Sequence, residues 1–207
     1  MAEFQAEKKA QNERVMRAHV PINWRDVRFD NSDPDIHPTA FLTCRNYAFN
    51  FSAYGNSMII HSNILGSGKT HLQACIGNYV LREKHIDVRF VKAFEILLEV
   101  KGTFDHGSKE GEEDVLRRLL SPTLLLIDDL GVAPPTDWSD QMHWLVFDRR
   151  LENHLPVVVT TNYFPDDDGL GKRIGNGALS RLLGMCEGNI IEFKGSDLRR
   201  KKTQTPQ

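Results

Sequence analysis

The chain has 207 residues, 40% hydrophobic and 26% charged, with a formal net charge of −2 at pH 7. That is enough apolar material for one sizeable core, and a balance that neither demands nor excludes a nucleic-acid partner, so any basic surface has to be local. Three scattered cysteines without a C-x-x-C pair exclude a disulfide framework and point to a reducing cytoplasm; no apolar run approaches the roughly 20 residues of a membrane span, and the charged N-terminus does not read as a signal peptide.

Residues 1–19 are rich in Ala, Glu, Lys, Gln and Arg, good helix formers with little to bury, and read as a short helix or solvated tail that could dock a partner; residues 20–207 read as one domain. Val20-Pro21-Ile22-Asn23-Trp24 breaks the pattern, and the following segment to Asn31 is expected to be extended. Pro34, Asp35 and Pro38 mark a loop, and Phe41, Leu42, Cys44, Tyr47, Ala48 and Phe51 then recur at helical spacing. Strands are expected at 58–61, 87–91, 123–129 and 156–162, separated by helices over 69–84, 93–100, about 112–120 and 138–153. Gly102 to Gly111 is polar and Gly-punctuated, hence a loop. Strands alternating with helices in this way make a wound parallel α/β sheet, whose ligands belong at the carboxyl ends of the strands.

The decisive stretch is Ser57 to Thr70, S-M-I-I-H-S-N-I-L-G-S-G-K-T. An apolar strand that turns through Gly66-Ser67-Gly68 into a helix aims several backbone N–H groups and the positive end of the helix dipole at one point, which makes an anion site. Lys69 can reach the β and γ phosphates of a nucleotide, and the Thr70 hydroxyl suits a Mg²⁺ ligand. The match to G-x-x-x-x-G-K-[ST] departs only at its first position, Asn63. Asn tolerates a left-handed backbone better than other non-glycine residues, so the loop is expected to form with some conformational cost. Asn63, Leu65, Gly66, Ser67, Gly68, Lys69, Thr70 and His71 are therefore the candidate nucleotide-binding residues, with the His71 side chain expected to pack or cap.

Thr123 to Asp129, T-L-L-L-I-D-D, is a buried strand ending in two acids. Adjacent carboxylates there are costly unless a cation or hydrogen bonds compensate. Asp128 is positioned to orient Mg²⁺ opposite Thr70, and Asp129 to act as base or water-positioning group; a helix N-cap is the simpler role for Asp129. Thr161 and Asn162, ending the next strand, can hydrogen-bond a γ-phosphate or the attacking water. Arg181 stands inside an apolar helix pattern, where it serves either a neighbouring subunit's nucleotide or a local salt bridge. The run Lys194 to Lys202 is basic, suited to a nucleic-acid backbone or to solvent.

Taken in order, V-P-I-N-W-R-D-V-R-F-D-N, G-S-G-K-T-H-L, L-L-L-I-D-D-L-G, V-V-V-T-T-N, L-S-R-L-L and F-K-G-S-D-L-R-R resemble the AAA+ ATPases of the helicase loaders DnaC and DnaI and their transposon relative IstB, over roughly residues 19–200. The resemblance implies a five-stranded AAA+ P-loop sheet without a substantial lid domain. It assigns Asp128 to Mg²⁺, Asp129 to hydrolysis, Asn162 to the sensor-one position, Arg181 to the arginine finger offered to an adjacent subunit, and Arg199 to the family's final Arg. It further implies ATP and Mg²⁺ as cofactors, a replicative DNA helicase and single-stranded DNA as partners, the latter bound around Lys101 to Phe104, and a nucleotide-dependent homo-oligomer. Two alternatives remain open at this level: an ATPase helper of transposition, and a nucleotide-gated adaptor with little hydrolysis, suggested by Asn63.

Overall fold

A computed structural model describes residues 2–103, 111–194 and 197–199. In chain order the elements are α1 (Ala2–Arg17), α2 (Pro38–Phe49), β1 (Met58–His61), α3 (Lys69–Glu83), β2 (Val88–Lys92), α4 (Ala93–Gly102), α5 (Glu112–Leu120), β3 (Leu124–Leu130), α6 (Asp137–Glu152), β4 (Val157–Thr161), α7 (Lys172–Ile174), α8 (Asn176–Cys186) and β5 (Ile190–Glu192). The five strands form one parallel sheet in the order β2-β3-β4-β1-β5. Five strands in one parallel sheet are what the resemblance to the AAA+ ATPases implied.

Both faces of the sheet are covered, which is why the inner strands are continuous apolar runs. Met58, Ile60, Leu126 and Val158 pack on one face against Phe41, Cys44, Cys75, Ile76 and Val80 of α2 and α3. Ile59, Ile127, Val157 and Val159 pack on the other, against Ile96, Val115, Phe147 and Leu182 of α4, α5, α6 and α8. The fifth strand carries no such run: Ile190, Ile191 and Glu192 are exposed or half-buried at the sheet edge, so periodicity does not single it out.

Arg150 of α6 is fully buried, and its guanidinium donates to the carbonyls of Leu120, Pro122, Thr123 and Pro156. It thereby ties together the chain ends that enter β3 and β4. Burial pulls it down to about 9, still well above neutral pH.

The segment expected to be extended after Val20 is instead two 3-10 turns, Ile22–Trp24 and Phe29–Asn31. Its shape is set by α3: Asn78 Nδ2 donates to the carbonyls of Trp24 and Val27, both at 2.7 Å, and Arg82 to that of Arg25 at 3.0 Å. Upstream, Val15 and Ala18 are buried in the α2–α3 layer, and the Ala18 carbonyl accepts from Phe90 N on the edge strand β2. Residues 104–110, most of the expected polar loop, lie outside the described residues.

Candidate functional site: a phosphate loop facing an acid bulge

β1 ends at His61, the chain turns through Ser62 to Gly68, and α3 starts at Lys69. Gly66 (φ +69°) and Gly68 (φ +95°) carry the left-handed geometry of the turn. Asn63 is not among the residues with positive φ, so the expected cost at that position is absent: the glycine requirement falls three and five residues later. Lys69 is buried, its ammonium donating to the Ser62 and Ile64 carbonyls at 3.4 and 3.2 Å and to Ser67 Oγ at 3.3 Å. Burial lowers its pKa, with the Arg199 charge adding to that, while Asp129 and Asp128 oppose it.

Opposite the loop, the Thr70 hydroxyl donates to Asp128 Oδ1 at 2.9 Å. The two residue types suited to Mg²⁺ therefore meet across the gap between α3 and β3. Among the described residues no three His, Cys, Asp or Glu side chains gather into a metal cage. One hydroxyl and one carboxylate instead fit a cation that keeps its waters and takes phosphate oxygens, as Mg²⁺ does. Burial raises the Asp128 pKa and neighbouring Asp129 adds to it, against hydrogen bonds from Thr160 and Thr70 and the charge of Lys92.

Asp129 adopts φ +55°, and the β3–β4 register shifts between Ile127 and Leu130. The acid pair is thus a bulge, a local break in pairing that re-aims a side chain at a strand end. Thr160 holds it: its hydroxyl donates to Asp128 Oδ1 at 2.6 Å and accepts from Asp129 N at 2.9 Å. From beneath, Gln73 of α3 donates to the Ile127 and Val158 carbonyls at 3.0 and 2.9 Å. Neither Thr160 nor Gln73 is legible from the motif pattern. A signal for Thr160 does exist, since period-two alternation in V-V-V-T-T puts it on the same face as Val158 and hence toward α3.

Asn162 follows β4, which lies between β1 and β3, so it stands at the strand ends between the loop and the acids. Thr161 faces elsewhere, donating to the Leu130 carbonyl at 2.8 Å. The His71 side chain turns from the loop toward Ser32 Oγ, 2.7 Å from Nε2, and meets the Trp24 ring edge-on. Leu65 is exposed, while Ser67 is fully buried. Asp197, Leu198 and Arg199 return to the loop: Leu198 N donates to the Gly66 carbonyl at 3.1 Å, and a methyl group on Gly66 would collide with the Asp197 carboxylate.

Arg181 is not part of this cluster. Its Nε pairs with Asp148 at 2.5 Å, one terminal nitrogen donates to the Gly177 carbonyl at 3.2 Å, and the guanidinium lies 4.4 Å over the Trp144 ring. The local ion pair anticipated as one of its two roles is therefore present, on the α6–α8 face.

A family model described as IstB-like ATP binding protein matches residues 40–205. The chain belongs to this family. The IstB-like chain is 27% identical over 168 residues to the replicative helicase loader DnaC of Buchnera aphidicola subsp. Acyrthosiphon pisum, covering 80% of the chain and 67% of that protein. It is 30% identical over 139 residues to the DnaC of Buchnera aphidicola subsp. Schizaphis graminum, covering 67% and 54%. Against DnaI of Bacillus subtilis the identity is 28%, over 67% of the chain and 43% of DnaI, so the chain spans between about two fifths and two thirds of the length of such relatives. A crystal structure of the DnaC helicase loader superposes with a TM-score of 0.72 at 24% identity, over 84% of the chain and all of that structure, a likeness of fold. No helix among the described residues is long and apolar enough to cross a membrane.

Proposed function

We propose that this IstB-like chain is a helicase loader: it binds ATP with Mg²⁺ and single-stranded DNA, assembles with copies of itself, and delivers or remodels a replicative DNA helicase when replication starts in the cytoplasm. The observation that carries the nucleotide half is the Thr70 hydroxyl 2.9 Å from Asp128 below a loop with two left-handed glycines. The loader half rests on the helicase loaders among its relatives.

In this reading the amides from Gly66 to Thr70 and the Lys69 ammonium take the β and γ phosphates, and Thr70 and Asp128 hold the cation. Mg²⁺ bound there would neutralise charge on the phosphate oxygens. Asp129, aimed by its bulge, positions and deprotonates the attacking water, with Asn162 as its partner at the γ-phosphate. Arg199 approaches the same phosphates from the returning C-terminal segment. Arg181, held away from its own loop, completes the site of a neighbouring subunit, so turnover is slow in the isolated chain. Residues 1–19 supply the partner-docking helix, whose end packs through Val15 and Ala18 onto the ATPase domain 20–207. DNA is taken near Lys101, exposed at the end of α4; Phe104 lies outside the described residues.

ATP binding and hydrolysis measured with and without single-stranded DNA test the reading. Lys69→Ala should abolish binding, and Asp129→Asn should keep binding and stop turnover; an Asp129→Asn chain that hydrolyses ATP at the wild-type rate refutes the assignment. The IstB-like family description favours one second reading, an ATPase helper of transposition. A pull-down with a replicative helicase, repeated with ATP and with ADP, separates the two. The adaptor reading loses its conformational argument, because Asn63 carries no left-handed strain.

A further inference from the structure

His37 belongs to no motif, yet it touches the loop directly. It precedes Pro38 at the start of α2, its carbonyl accepting the first helical bond from Phe41 N at 2.8 Å. Its Nε2 lies 2.7 Å from the Ser67 carbonyl oxygen. A carbonyl only accepts, so Nε2 carries the proton and His37 is the donor. The ring is backed by Phe193, with centroids 4.7 Å apart, and Phe193 is itself fixed by its N–H to the His61 carbonyl and by Ser62 Oγ donating to its own carbonyl, both at 2.8 Å. The donor is thus mounted on the start of α2 and braced by the segment after β5, two elements distant from the loop in sequence.

We propose that His37 is a positioning residue of the phosphate site: by holding the Ser67 carbonyl, it aims the Gly68 N–H at the bound polyphosphate. A trans peptide is planar, with its C=O and N–H pointing opposite ways, so anchoring the Ser67 oxygen on the His37 side commits the Gly68 N–H to the other side. That amide needs an anchor, because Gly68 at φ +95° lacks the side-chain constraint that would keep other residues in one basin. The Ser67 hydroxyl, accepting from Lys69 Nζ at 3.3 Å, gives the same residue a second tether. Ser67 therefore sits between the loop's lysine and a histidine brought from α2. The inference deepens, and rests on, the reading of this loop as an ATP site.

The test compares wild type, His37→Ala, His37→Gln and Lys69→Ala for binding of a fluorescent ATP analogue, and for competition by inorganic pyrophosphate, which isolates the phosphate contacts. Thermal melting of each chain is measured alongside. One lost hydrogen bond predicts that His37→Ala weakens both ligands about three- to tenfold, with His37→Gln, which keeps an N–H donor, recovering most of it. A loss below threefold in His37→Ala, or an equal loss in His37→Gln, overturns the proposal. If His37→Ala does not fold, His37→Met, similar in bulk and without a donor, takes its place against His37→Gln. A wild-type chain that binds neither ligand removes the ATP-site reading and this inference with it. Wild-type binding that Lys69→Ala abolishes and His37→Ala leaves intact removes this inference alone.

Discussion

Replacing Thr160 by Val keeps the shape of the side chain and deletes one oxygen. That oxygen donates to Asp128 at 2.6 Å and accepts from Asp129 N at 2.9 Å, and Thr160 is fully buried, so water cannot substitute for it. The bond to an ionised carboxylate is worth about 1.5–3 kcal/mol and the one from the backbone amide about 1 kcal/mol. Thr160→Val should therefore destabilise the chain by roughly 2–4 kcal/mol at pH 7, seen in urea unfolding as a lower midpoint with an unchanged slope. A second effect should be separable from the first. The positive φ of Asp129 is held by its N–H bond to Thr160, so loss of that bond frees the carboxylate to misalign. Turnover of ATP should then fall more than ATP affinity, in protein kept folded by low temperature. Thr160→Ser, which keeps the hydroxyl, should retain most of both properties. An unfolding free energy for Thr160→Val within about 0.5 kcal/mol of wild type would refute the account of the bulge.

Three further outcomes are expected. His143 is buried with both ring nitrogens unpaired, and burial lowers its pKa from 6.5 to about 4. Above pH 6.5 this costs nothing; between the two values the unfolded chain binds a proton that the native one refuses, so stability should fall with pH by roughly 3 kcal/mol toward pH 4. In His143→Leu that slope should be reduced in urea titrations at pH 7 and pH 5, and an unchanged slope would contradict it. Arg150→Met would leave the carbonyls of Leu120, Pro122, Thr123 and Pro156 without their buried donor and should cost about 3–5 kcal/mol in the same assay; a loss under about 1 kcal/mol would show that the bracket is dispensable. Arg181→Ala should bind ATP normally as an isolated chain and depress turnover only when mixed into wild-type assemblies, and full activity at every mixing ratio would reject its role between subunits.

The phosphate loop, the acid pair and the alternation of helix and strand are legible in the linear chain because each depends on neighbours within a few residues. Glycines set the turn, a buried apolar run sets the strand, and Lys69 and Thr70 follow the loop by necessity. Tertiary structure decided what depends on distant partners. The insertion of β4 between β1 and β3, which puts Asn162 between the loop and the acids, is a choice of strand order that no local period encodes. Edge strand β5 has no continuous apolar run because it is only partly covered, and the segment after Val20 coils into 3-10 turns because Asn78 and Arg82 capture its carbonyls. Thr160, Gln73 and His37 reach the site through side-chain hydrogen bonds spanning 30 or more residues, and a pattern of residue types cannot specify a contact whose geometry is fixed only once the whole sheet has closed around it.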